Sequence, residues 1–298
     1  MKILLALILF NSGLYDDVKA NYYGDDSYRI SQIQVEALSF EGDSLYKVMN
    51  WVARANYKQA NYARAYDVLK QIPIDSVSSQ FLYYDLRSLE CLLVKNLGVP
   101  HYDEADSLYT ILISELPDLP KRASYNRIRY RVHLNYAELS RLRFDHDKKL
   151  FHLNRASEFA TGDSKDKTIR NVARHYVNIE LNLEMADSVM MLHTPIDSVV
   201  SKESKSGYYS VVGHIYESRN LNKKASDMFY KSGEFAAQAG LISFLEDASD
   251  DYERSLNKAE LDYRRNSYNT MVKIIIAGIL LLAFLLDRLI SKPKEAAQ

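Results

Sequence analysis

Residues 57–69 read "YKQANYARAYDVL". Bulky side chains stand at Tyr57, Tyr62, Tyr66 and Leu69 and small ones at Ala60, Ala63 and Ala65, which predicts a helix, a one-turn break and a second helix. Alanine at a helix crossing lets two axes approach to about 8–10 Å, where a larger side chain would hold them apart. The same step, a small residue followed four positions later by a bulky one, returns at Ala105 and Tyr109, Ala186 and Met190, and Ala225 and Phe229. The separations are 40, 81 and 39 residues, a period near 40 with a degenerate member around 150–154, "LFHLN". Such a period predicts stacked two-helix units, because one short hairpin cannot bury its apolar stripe alone and each must cover its neighbour.

Composition agrees with a helical reading. The 298 residues are 47% hydrophobic, enough for a full core, and ten Gly and six Pro leave little room for β-turns or long linkers. Charged residues make up 26% with a formal net charge of −1, which argues against a nucleic-acid partner, whose binders carry a basic excess. Cys91 is the single cysteine, so an internal disulfide, a CxxC redox pair and a zinc knuckle are excluded, and its setting in "LECLLV" predicts a buried, inert thiol.

Residues 209–232 carry the clearest unit. Tyr209, Val212, Gly213 and Tyr216 follow i, i+3, i+4, i+7 spacing on one helix, and after a break at Asn220 the stripe continues through Ala225, Phe229 and Ser232. This resembles the tetratricopeptide repeat, whose first helix carries aromatic, aliphatic, small and aromatic residues and whose second carries small, bulky and small. Val52, Ala53, Tyr57, Tyr62, Ala65 and Leu69 match it in the opening unit, and Pro117 stands where the Ala105 unit should close. Three departures stand out: the small residue of the second unit's first helix is read as Leu93, the third unit is barely recognisable, and the period exceeds the family's 34 residues, which is expected to lengthen helices or turns. The resemblance spans 43–241 and implies an all-α helical-hairpin solenoid with a concave groove lined by first helices. The groove-facing side chains would be Asn50, Arg54, Tyr57 and Lys58, then Ser210, His214 and Glu217, a polar mixture suited to a protein or peptide partner.

The two ends predict the address. Residues 1–20, "MKILLALILFNSGLYDDVKA", have Lys2, then apolar residues 3–10, then a polar stretch to Ala20, and read as a secretory signal cleaved near Ala20. Residues 21–42 form a lead-in. Residues 271–290, "MVKIIIAGILLLAFLLDRLI", read as a transmembrane helix. Thirteen Val, Ile, Leu and Phe side chains between Val272 and Ile290 are worth up to about −4 to −8 kcal/mol of insertion energy, and Lys273, Asp287 and Arg288 lie near the ends, where they can snorkel. Residues 242–270 keep Leu245, Ala248, Tyr252, Leu256, Ala259 and Tyr263 on one stripe, expected to cap the last repeat or to self-associate. Residues 291–298 would be a short cytosolic tail.

No motif for chemistry stands out. Asp145, His146, Asp147 and His152 in "FDHDKKLFHL" do not share a helix face, and "HYDEADS" lacks the glycine and spacing of a calcium loop. GxSxG, HExxH and phosphate-loop patterns do not occur. No catalysis, metal or cofactor is expected. The arrangement of signal, repeats and late single span resembles the sensor half of bacterial tetratricopeptide regulators, which implies an inner-membrane, single-pass protein with periplasmic repeats, here without the regulators' output domain. The expected function is a membrane-anchored scaffold that binds protein or peptide; the alternatives are a signalling subunit relaying binding to a separate regulator, and a cytosolic tail-anchored adaptor.

Overall fold

The computed structural model describes residues 27–291, with side-chain surroundings for 29–282. The expected signal segment 1–20, the start of the lead-in and the tail 292–298 lie outside the described residues. Those described are all-α: twelve α-helices and no strand. They are α1 Ser27–Ala37, α2 Gly42–Lys58, α3 Tyr62–Lys70, α4 Gln80–Asn96, α5 Tyr102–Glu115, α6 Ala123–Leu142, α7 His146–Phe159, α8 Asp163–His175, α9 Leu183–Met190, α10 Lys202–Ser218, α11 Asn222–Gln238 and α12 Ile242–Ser291. A π-helical turn, Tyr176–Glu180, follows α8. The chain forms two compact units, Met1–Val172 and Ala173–Gln298.

In the first unit α1 packs on α2, and three hairpins follow: α2 with α3, α4 with α5, α6 with α7. First helices also lie beside one another, α2 against α4 and α4 against α6. In the second unit the π-turn packs on α9 and α10, α10 pairs with α11, and α11 pairs with the start of α12.

The hairpin crossings repeat one arrangement. Five residues before the end of a first helix stands a small buried residue: Ala53 in α2, Cys91 in α4, Ala137 in α6 and Gly213 in α10. Cys91, not Leu93, therefore holds this place in the second hairpin; Leu93 is buried on an adjoining face of the helix. The partner helix supplies its fourth residue, Ala65, Ala105, Lys149, Ala186 or Ala225, and its eighth, Leu69, Tyr109, Leu153, Met190 or Phe229. The degenerate third member is thus explained by Lys149 in the small position, with Ala137 and Ala156 giving the clearance instead. At Gly213 the approach is closest: a Cβ there would lie 2.6 Å from the Phe229 ring.

Four helices end in the same cap. The second residue after α2, α6, α10 and α11 has left-handed φ: Ala60 at 59°, Phe144 at 60°, Asn220 at 58° and Gly240 at 69°. The next N–H then donates back to the carbonyl five residues earlier, Asn61 to Asn56 at 2.9 Å, Asp145 to Ser140 at 2.9 Å, Leu221 to Tyr216 at 2.9 Å and Leu241 to Ala236 at 3.0 Å. This is the Schellman closure, which satisfies orphan carbonyls and reverses the chain in three residues. Between hairpins a second connector repeats: "PIDSVSS" at 73–79 and "PIDSVVS" at 195–201 each fold into a 3-10 turn ending on a serine that caps the next first helix.

The start of α12 acts as a further repeat helix. Ala248 and Ser255 are buried, Tyr252 and Ala259 half-buried, and Asp262 accepts from Asn222 Nδ2 at 2.7 Å. Leu245, Leu256 and Tyr263, expected on this stripe, are exposed at 38%, 44% and 74%. The contact face lies one position earlier, through Ser255 and Asp262, and Gly233 of α11 faces Leu245 and Ala248. Beyond Asp262 nearly every described residue is exposed, including the apolar residues 274–276 and 279–282. Among the described residues no helix is long and apolar enough to cross a membrane. The second half of the expected span, 283–290, lies beyond the last described side chain.

Candidate functional site

Counting back from the last residue of each first helix, positions one, four, eight and eleven fall on one face. They are Tyr57, Arg54, Asn50 and Lys47 in α2; Lys95, Leu92, Ser88 and Asp85 in α4; Arg141, Glu138, Leu134 and Arg131 in α6; and Glu217, His214, Ser210 and Gly207 in α10. Of the sequence-expected groove residues, Asn50, Arg54 and Tyr57 lie on this face of α2, and Ser210, His214 and Glu217 on that of α10; Lys58, the last residue of α2, falls outside it.

In the first unit Asn50 and Arg54 converge on Asp85 of the neighbouring first helix. Asn50 Nδ2 donates to Asp85 Oδ2 at 2.7 Å, Arg54 Nε donates to Asn50 Oδ1 at 3.0 Å, and Arg54 Nη2 meets Asp85 Oδ1 at 3.1 Å. Arg131 of α6 pairs with the same carboxylate, on Oδ1 as Arg54 does. Burial alone would raise the Asp85 pKa, but the Arg54 and Arg131 guanidiniums outweigh it and hold the carboxyl below its ordinary value. Tyr57 packs on Tyr62 with ring centroids 5.4 Å apart, and Lys58 is exposed.

The second unit builds a matching network onto α12. Ser210 Oγ accepts from Arg174 at 3.4 Å. His214 lies 3.4 Å from Asp251 and 3.8 Å from Glu217, edge-on to Phe229. Glu217 accepts from Arg254 at 3.0 and 3.1 Å and from Lys258 at 2.8 Å. These cations overcome the opposing effect of burial and bring the Glu217 pKa down to about 2. Burial lowers the His214 pKa despite Asp251 beside it, so the imidazole is neutral near pH 7. Asn50, Arg54, His214 and Glu217 thus spend their polar groups on adjacent repeat helices. Asp85, Arg131, Lys95, Asp251 and Arg254 were not singled out from sequence; the signal that finds them is the helix-end count above, which needs helix ends that sequence periodicity leaves uncertain by a turn.

Other candidate groups serve structure. Asp145 Oδ1 accepts from Lys148 N at 3.0 Å as a helix cap, whereas His152 turns into the core, its Nδ1 3.1 Å from that of His133. Tyr109, Tyr136 and His152 stack in series at 4.9 and 4.4 Å between centroids. In "HYDEADS", Asp103 pairs with Arg143 at 2.7 Å, and Asp106 accepts from Tyr136 at 2.9 Å and Lys148 at 2.7 Å. Burial drives the Cys91 thiol well above the ordinary thiol range, so it stays protonated. Among the described residues no group of three or more His, Cys, Asp or Glu is placed to hold a metal ion. This first-helix face offers hydrogen bonds, charge and half-buried apolar side chains, the chemistry of recognition. No protein-family model matches the chain, and no curated protein is significantly similar to it.

Proposed function

We propose that this protein is a membrane-anchored scaffold of tetratricopeptide type, which holds a protein or peptide partner on its first-helix face, on the extracytoplasmic side of the membrane. The observation that carries the reading is the first-helix face of each unit's hairpins, where the same four helix positions recur with mixed polar and charged side chains. The anchor is the apolar run at the end of α12, reached from the capped repeats through 242–270, which holds no Gly or Pro. Lys273 stands eleven helical steps beyond Asp262, so a continuous helix would hold the repeats about 17 Å above the hydrocarbon. A photo-crosslinking residue in place of the exposed Lys47, on that face, is expected to capture a partner protein in intact cells, and the same residue in place of the exposed Phe144, in the turn after α6, to capture none. Equal capture at both positions would contradict a first-helix-face site.

A signalling role is the second reading, favoured by one feature. The polar groups that line this face in α10, His214 and Glu217, are also those that clamp α12. A partner competing for Glu217 would loosen the helix that leads to the membrane, which is the differential interaction a relay requires.

A further inference from the structure

The last helix is covered on one side only. α12 packs on α11 and α10 and runs on to Ser291 without reversing, so no return helix lies on its far side as α11 lies on α10. That side carries Tyr252, Leu256, Ala259, Tyr263, Asn266 and Thr270, in alternating steps of four and three residues, the spacing that keeps one seam turned toward a partner helix. Leu256 and Tyr263 are exposed at 44% and 74%, and Tyr252 rests beside the exposed Tyr230 of α11, ring centroids 6.0 Å apart. Beyond Asp262, which holds the first residue of α11, residues 263–270 are exposed all round.

The charges of this stretch avoid the seam. All seven charged residues between Tyr252 and Thr270 fall outside it. Glu260 and Asp262, which border it, are engaged, Glu260 by Arg264 at 2.7 Å and Asp262 by Asn222 at 2.7 Å. The other exposed apolar stripe of this stretch, Leu261, Tyr268 and Met271, is broken by Arg264 and Arg265.

Each seam residue can meet its own copy. Leucine and alanine pair with themselves, and Tyr263, Asn266 and Thr270 each carry both a donor and an acceptor, so two copies can satisfy one another across a twofold axis. A buried seam asparagine also fixes register, at some cost in stability. Two chains anchored in one bilayer are parallel and at one depth, which sets each seam residue opposite itself. The seam continues to Ala277 and Leu280 in the apolar run, where a small residue lets helices approach; Lys273 between them has the stem to reach the headgroups.

We propose that α12 pairs with α12 of a second copy along 252–270, parallel and in register. This rests on the membrane anchor of the reading above, which supplies the orientation, and adds to it the occupant of the uncovered face.

The test is cysteine crosslinking of the full chain in phosphatidylcholine vesicles at high lipid excess, with copper phenanthroline as oxidant. Cys91 is buried and protonated, so the unsubstituted chain is the blank. Tyr263→Cys and Asn266→Cys are expected to yield at least about fivefold more dimer than Leu261→Cys and Tyr268→Cys, which replace side chains 65% and 63% exposed on the opposite face. Adding Tyr263→Arg to Asn266→Cys sets like charges face to face and should cut the dimer at least about tenfold without lowering Tm. Equal yields at all four positions would mean chance collision, and higher yields at 261 and 268 a different face; either result overturns the proposal, as does the absence of any dimer. A crosslink from Tyr263→Cys in cells solely to a chain of different mass would give the face to another protein and overturn it too. If the chain floats with the vesicles but does not crosslink, pairing fails and the anchor stands; if 263 and 266 crosslink in a chain that does not float with them, the seam stands and the anchor fails.

Discussion

At the scale of single residues, the hairpins are set by side chains that make close approach or left-handed backbone possible. Gly213 lies under the Phe229 ring, so Gly213→Ala should destabilise by about 1–3 kcal/mol in urea unfolding, the cost of overpacking a closed crossing. Phe144 carries a left-handed φ of 60° with its ring 82% exposed; Phe144→Gly should therefore stabilise by about 0.5–1 kcal/mol in the same measurement. The small residues at 53, 65, 105, 186, 213 and 225 were legible in the sequence because their spacing repeats. The left-handed positions were not, since Ala60 and Phe144 have no intrinsic preference for that conformation and only Asn220 signals a break. Cys91 was overlooked as a crossing residue because the count that identifies it starts from the end of α4, which periodicity alone does not fix.

At the scale of elements, the third hairpin departs most from the repeat and carries its own liability. Its core holds His133 and His152 in contact, and burial, with the neighbouring cations, lowers both pKa values to about 4 from the ordinary 6.5. Because the folded values are depressed, the stability tied to neutral imidazoles is fully present above pH 6.5 and is lost as pH falls from 6.5 through 4. Thermal unfolding of the full chain should show Tm declining across that window, with a shallower decline for His152→Leu; an unchanged slope would show that the pair does not control acid stability. The sequence placed a degenerate unit here without explaining it. The explanation is chemical, an aromatic and histidine stack in place of the alanine step, and a hydrophobicity pattern does not register stacking.

At the scale of the whole molecule, period and composition were enough to read an all-α chain of helical hairpins with a long final helix, since both depend on apolar spacing. The ion networks between first helices were not readable, because they join residues 31 to 46 positions apart and depend on which helix faces meet. Glu217 is the clearest case: in sequence it is one polar residue on a predicted face, and in the structure it ties α10 to α12 through Arg254 and Lys258. Glu217→Gln weakens charge-assisted bonds without changing shape, so amides between 250 and 262 should exchange hydrogen faster by severalfold while those of α2 to α5 are unaffected. Protection unchanged along α12 would mean that apolar packing around Ala248 holds the helix by itself.

Where the repeats lie relative to the membrane decides between an extracytoplasmic scaffold and a cytosolic tail-anchored adaptor. Protease protection of a C-terminally tagged chain, in intact and in opened cells, with N-terminal sequencing of the mature product, measures this directly. Repeats shielded until the cell is opened from outside, a new N-terminus near Asn21 and a membrane-retained tag are the predicted result. Repeats cleaved from the cytosolic side with Met1 retained, or a chain released from the membrane by salt alone, would contradict it.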